Sequence, residues 1–248
     1  MLTERTSNRL VLKNLHNARD LGGLRSAIGG CTAYHKFIRS DDPSYLNDFD
    51  LDELIHYPVG TVIDLRTAEE IERHATPFLN LPSILYRNIP LFESDPDQAD
   101  DATVQIAIDG CLGTLYIHLL ETRQIQFSQI FREMLTAPDG AILFHCTHGK
   151  DRTGIIAALL LLLVRVSRSD IVENYSVTYD YIKPLVDPRI TALPSHMRHI
   201  LKSDAENMEL LLDYLDNSYE GKAEYYLEEI GLSEYEIHNL KRRILGLD

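Results

Sequence analysis

The chain has 248 residues, with 24 Lys and Arg against 38 Asp and Glu, a formal net charge of −14, 44% hydrophobic residues, three Cys and no Trp. This length and balance suit a single globular domain, here taken as 1–248, able to bury a sizeable core. The negative charge argues against a nucleic-acid binder or an anionic membrane surface, both of which need positive potential, but leaves room for a phosphorylated substrate in one locally basic pocket.

The N-terminal MLTERTSNRL carries no apolar core of a leader, so no signal peptide is expected. Strands are expected at Arg9 to Leu12, Ala33 to Ile38, Thr61 to Leu65, Ile84 to Ile89 and Ala141 to Phe144, each short, and apolar or alternating. Between them lie a short helix at Asp52 to His56, a charged one at Thr67 to His74, and a long apolar stripe from Thr114 to Leu135. ESDPDQADD, Glu93 to Asp101, reads as a solvated acidic loop. Ile155 to Val164 is the longest apolar run, 10 residues, about half of a bilayer span. No stable membrane insertion is therefore expected.

Beyond Val166 the pattern is helical throughout. Ser169 or Asp170 opens a helix to about Lys183, Pro184, Pro188 and Pro194 are expected to break the middle, and Leu210 to Leu215 and Ile237 to Leu245 carry further stripes. The whole reads as α/β: a central, mostly parallel sheet flanked by helices, with residues from about 167 to 248 forming a helical layer or lid.

Gly140 to Val164 carries the chemistry. A buried strand runs into Cys146, then a loop with Gly149, then Arg152, Thr153, Gly154 and an apolar helix. A loop of this length can wrap backbone N–H groups around a tetrahedral anion at a helix N-terminus. The helix end and Arg152 favour a thiolate at Cys146, and Arg152 can grip two oxygens in a fork. Gly149 permits the positive φ or close approach that such a loop demands. Arg six positions after a Cys arises by chance about once in twenty cysteines, so the surrounding residues matter. Cys31 and Cys111 have Phe37 and Ile117 at that spacing.

HCTHGKDRTG resembles the signature loop of the cysteine-dependent protein tyrosine and dual-specificity phosphatases. Lys150-Asp151 before Arg152 and NARDLGG (Asn17 to Gly23) are similar to one atypical, bacterial-type tyrosine phosphatase branch; IRS at Ile38 to Ser40, VIDLRTAEEIE at Val62 to Glu72 and AEYYLEEIGLS at Ala223 to Ser233 are weaker echoes. The resemblance spans about Asn17 to Leu245. It implies a hydrolase cleaving phosphotyrosine, with broader tolerance extending to dual specificity and phosphoinositides, through a cysteinyl-phosphate. Cys146 is then the nucleophile and Arg152 the phosphoryl clamp. Thr147, His148, Gly149, Lys150 and Thr153 bind phosphate, with Thr153 near the sulfur and Lys150 adding charge beside the anion. His145, Arg19, Asp20 and Asp64 support the loop, as do Arg39 and Ser40, and Asp64 pairs with Arg66.

No Trp-Pro-Asp element supplies a general acid; Asp151 is the first candidate by motif match, with Asp95 and Asp97 of the acidic loop as alternatives, and a structural pairing of Asp151 with Arg19 or another cation as the bland reading. His145, Cys146 and His148 have no partner pair at zinc-ligand spacing, so no metal or cofactor is expected. A nucleotide P-loop fails because Phe144 stands where Gly is needed and Asp151 where Ser or Thr is needed. A sulfurtransferase and a non-catalytic phosphate-binding module are the remaining rivals, the latter disfavoured by an intact Cys146 and Arg152. The sparse cysteines point to a reducing, cytoplasmic setting. The substrate expected is a phosphotyrosine protein, or a phosphorylated lipid or small molecule.

Overall fold

In the structure, a computed structural model, residues 8–93 and 102–247 are described. Five strands form one sheet: β1 (Arg19–Asp20), β2 (Phe37–Ser40), β3 (Val59–Asp64), β4 (Leu85–Asn88) and β5 (Ala141–His145). Their order is β1-β2-β5-β3-β4, with β1 antiparallel to β2 and every other pairing parallel. The chain is α/β, with helices on both faces of a mostly parallel sheet.

Alternation along the strands decides which face each side chain serves. Phe37, Ile63, Ile142 and Phe144 join one apolar cluster, and Ile38, Val62, Ala141 and Leu143 the other. The smaller cluster is closed by α1 (Asp48–His56), through Leu54, together with Leu15 and Phe78. The larger one packs α4 (Leu112–Thr122), α5 (Gln124–Thr136) and α6 (Asp151–Leu163) against the sheet and beneath a C-terminal layer. That layer comprises α7 (Arg168–Ser176), α9 (Ala205–Tyr219), α10 (Ala223–Glu229) and α11 (Glu234–Leu245). It shares the sheet's core. α6 lies between sheet and layer, buried on every side, which is why its sequence is apolar without a polar face.

Several expected elements differ. Arg9 to Leu12 contributes only an isolated bridge, Arg9 to Arg19, and β1, at two residues, carries no legible pattern. The stripe from Thr114 to Leu135 is two helices, broken at Arg123 (φ −112°, ψ 28°), where neither Gly nor Pro marks the break. A helix not anticipated, α3 (Ala102–Asp109), precedes them; α2 (Ala68–Arg73) follows β3. Pro184 and Pro188 lie inside α8 (Thr178–Ala192) instead of ending it. Both are exposed, as are Asp180 and Pro184 whose carbonyls they leave unbonded, so water can replace the lost bonds while Ile182 and Val186 anchor the opposite side. Pro194 does end the helix, before a 3₁₀ turn at Ser195–Leu201.

Candidate active site

Parallel pairing brings the ends of β2, β3 and β5 to one edge: Ser40 and Asp64 both stand opposite His145. Open parallel sheets bind ligands outside such strand ends. Cys146, 2% exposed, follows at once, and the loop continues through Lys150 into α6.

The outer side of this loop is tied down through its carbonyls. Thr147 O accepts from Asp42 N at 3.1 Å. Asn17 Nδ2 donates to His148 O at 2.9 Å and Gly149 O at 3.1 Å, and Arg39 Nη2 donates to Gly149 O at 2.7 Å and Lys150 O at 3.5 Å. In a trans peptide the N–H points away from its C=O. The N–H groups of His148, Gly149, Lys150 and Asp151 therefore turn to the inner side, where α6 adds its positive end. Gly149 has φ 63°, and a Cβ there would meet Ser40 O at 2.4 Å. No other residue fits that position.

The anchors are themselves held. Asn17 N donates to Asp41 Oδ1 at 2.9 Å, and Arg19 bonds Asn17 Oδ1, Asn174 O at 2.9 Å and Thr178 Oγ1 at 3.1 Å. Arg39 also bonds Asn174 Oδ1 at 2.7 Å. Burial pushes Arg39 down to about 10, an effect the neighbouring Cys146 partly offsets.

Arg152 lies in a two-point pair with Glu70, Nη1 to Oε2 at 2.7 Å and Nη2 to Oε1 at 2.9 Å, while Nη2 also bonds Thr147 Oγ1 at 3.2 Å. Its guanidinium faces the Phe92 ring at 4.6 Å. Burial would raise the Glu70 carboxyl, but Arg152 and Thr147 hold it at about 2. Glu70 reaches this position from α2, where Thr67 and Glu70 form a reciprocal capping box. In the sequence Glu70 is marked only by the Thr-x-x-Glu spacing and by its place within VIDLRTAEEIE.

Asp64 and Arg66 pair as expected, Nη2 to Oδ2 at 2.8 Å, and Arg66 Nη1 also bonds Asp42 at 2.8 Å. His145 Nε2 stands 3.5 Å from Asp64 Oδ2, and its Nδ1 lies 3.3 Å from Cys146 O. Burial lowers its pKa, so the ring is neutral. Thr153 Oγ1 is buried with no hydrogen-bond partner among the described residues.

A cavity of about 490 Å3 opens over the loop. Thr147, His148, Asp151 and Arg152 line its floor; Phe92, Ile108, Leu112, Leu115, Leu193 and Met197 supply apolar walls. Burial, and after it Lys150, lowers the His148 pKa to about 4, so this ring is neutral as well. Asp151 Oδ1 accepts from Tyr116 Oη at 2.6 Å and lies 3.0 Å from Lys150 Nζ, so the carboxylate does pair with a cation, Lys150 in place of Arg19.

Two expected roles change. Lys150 does not direct its charge at the anion site: Nζ is buried on Ile200 O at 2.7 Å and Lys202 O at 2.9 Å, pinning the 3₁₀ turn to the loop. Asp20 does not touch the loop either. Its carboxylate holds Gly22 N, His35 N and Tyr57 Oη at 2.6, 2.8 and 2.7 Å, shaping the turn after β1. Asp95 and Asp97 lie outside the described residues. Among the described residues no group of three His, Cys, Asp or Glu is placed to hold a metal, and no helix is long and apolar enough to cross a membrane.

A variant of P. aeruginosa TpbA solved in complex with phosphotyrosine is 13% identical, covering 93% of this chain and 100% of that one, with a TM-score of 0.46. A tyrosine-protein phosphatase of Nostoc commune is 34% identical over 219 residues, which cover 84% of this chain and 74% of that protein. The profile described as "Tyrosine phosphatase family" matches residues 10–246. With that match spanning nearly the whole sequence, the chain belongs to the tyrosine phosphatase family.

Proposed function

We propose that the protein hydrolyses phosphotyrosine in two steps through a cysteinyl-phosphate at Cys146, as one domain working in a reducing, cytoplasmic setting. The observation that carries this reading is the loop's polarity: its carbonyls are bonded outward, so its N–H groups, α6 and Arg152 converge above a buried cysteine. Cys146 sulfur attacks phosphorus as the P–O bond breaks. Asp151 gives its proton to the departing phenolate oxygen and becomes a carboxylate. Water then attacks phosphorus, surrendering a proton to Asp151, and the P–S bond breaks to return the thiolate. Arg152 and the N–H groups stabilise the phosphoryl oxygens throughout.

The apolar walls favour an aromatic ester over a short serine or threonine one, because a ring buries more surface on the way to the floor. Lys150 Nζ is already bonded to Ile200 O and Lys202 O and paired with Asp151, which weakens the charge argument for a phosphoinositide headgroup. Parallel turnover of phosphotyrosine peptide, phosphoserine peptide and phosphoinositide by one preparation tests the ranking. We expect phosphotyrosine to lead in kcat/KM; a preference for either other substrate overturns it.

A further inference from the structure

Asp151 is joined to a chain of buried hydroxyls that none of the steps above requires. Tyr116 from α4 is fully buried, and its hydroxyl meets Asp151 Oδ1 at 2.6 Å. Tyr175 from α7 is 1% exposed, and the two tyrosine hydroxyls are 2.6 Å apart, with the rings edge to face at 5.9 Å. The Asn207 side chain bonds the Tyr175 hydroxyl from α9, and its Oδ1 accepts from Gly113 N at 3.3 Å.

The direction of this chain is fixed by its end. A carboxylate only accepts, so the single Tyr116 proton points to Asp151. Tyr116 oxygen then accepts from Tyr175, and Tyr175 oxygen from the Asn207 amide. Burial, reinforced by Asp151, raises the Tyr116 pKa well above its usual value, so it remains a donor at any working pH.

Oδ1 thus accepts a hydrogen bond from Tyr116 and lies 3.0 Å from the Lys150 ammonium in an ion pair. An oxygen that already accepts one bond and faces a cation is the poorer proton acceptor of the pair. We propose that Tyr116 is a positioning residue: together with Lys150 it occupies Asp151 Oδ1, so that the transferable proton sits on Oδ2, on the side of the carboxyl left for the leaving group. This rests on Asp151 being the general acid. Protonation at Oδ2 leaves the Oδ1 contacts intact, so the hydroxyl chain keeps one arrangement through both steps.

Tyr116→Phe removes the hydroxyl and keeps the ring. The test compares kcat on phosphotyrosine with kcat on a nitrophenyl phosphate, whose phenolate leaves without a proton. We expect about a tenfold loss on phosphotyrosine and less than about a twofold loss on the nitrophenyl ester. Equal loss on both substrates, or no loss on either, overturns the proposal, because a structural role alone does not distinguish leaving groups. If Tyr116→Phe does not fold, Tyr175→Phe must show the same substrate dependence at roughly threefold, since it removes the donor that polarises Tyr116; its absence there overturns the proposal equally. Asp151→Asn run beside them separates the two claims. If it lacks leaving-group dependence, the acid assignment fails; if it shows the dependence and the tyrosine variants do not, only the positioning role fails.

Discussion

The guanidinium of Arg152 and the carboxylate of Glu70 form a parallel two-point pair at 2.7 and 2.9 Å, both side chains almost fully buried. The pair joins the first turn of α6 to the first turn of α2. It fixes the plane of the guanidinium; with Leu65 O accepting from Nη1 at 3.3 Å and Thr147 Oγ1 from Nη2 at 3.2 Å, four of the five N–H donors are engaged and Nε–H is the one left to meet phosphate in this arrangement.

Glu70→Gln keeps the shape but loses the charge and one acceptor, leaving the fork free to turn. We expect kcat/KM for phosphotyrosine to fall roughly 10- to 100-fold, with phosphate affinity weakened in parallel. Steady-state kinetics and inhibition by inorganic phosphate measure both. An unchanged kcat/KM would show that Arg152 needs no such support.

The same pair links stability to acid. Glu70 is held at about 2 when folded against 4.5 ordinarily, so the unfolded chain binds its proton first as pH falls. The contribution is complete above about 4.5 and lost as pH drops toward 2, amounting to about 3 kcal/mol over that window. Urea denaturation at stepped pH is expected to show a shallower acid loss in Glu70→Gln than in the wild type. Parallel curves would contradict the linkage.

Gly149→Ala places a methyl 2.4 Å from Ser40 O in a backbone of φ 63°. The strain of a left-handed alanine and the clash with β2 together cost roughly 1 to 3 kcal/mol. The loop must open to relieve them, so activity is expected to fall more steeply than stability. Denaturant midpoint and kcat, measured on the same sample, check the two.

Activity is expected to survive excess EDTA, since the proposed nucleophile, clamp and acid are all side chains of one loop. Loss on chelation, restored by a divalent ion, would require another mechanism. Turnover with and without chelator is the measurement.

What sequence made legible follows from contiguity. Cys146, Gly149, Asp151 and Arg152 lie within one short loop between a buried strand and an apolar helix, so their grouping is visible without a structure. Glu70 and Tyr116 did not stand out because they reach the loop from α2 and α4 across 82 and 35 positions, and local pattern carries no trace of such pairings. Lys150 misled because a lysine beside an anion site is indistinguishable in sequence from one that caps backbone carbonyls; its partners, Ile200 and Lys202, lie in a distant 3₁₀ turn. The break at Arg123 and the continuous helix through Pro184 and Pro188 both reflect packing that overrides local propensity.

In the proposed mechanism the Cys146 sulfur becomes covalently phosphorylated while the rest of the loop binds. Cys146→Ser removes the nucleophile and leaves the N–H groups, Arg152 and α6 in place. The direct measurement is rapid acid quench of the wild-type enzyme with labelled phosphotyrosine peptide, alongside substrate binding by Cys146→Ser. We expect a protein-bound phosphothiol in the wild type, and in Cys146→Ser no detectable turnover with substrate affinity within a few-fold of wild type. A serine variant retaining a tenth of the wild-type rate, or a wild-type enzyme that turns over without trapping label on Cys146, would contradict it.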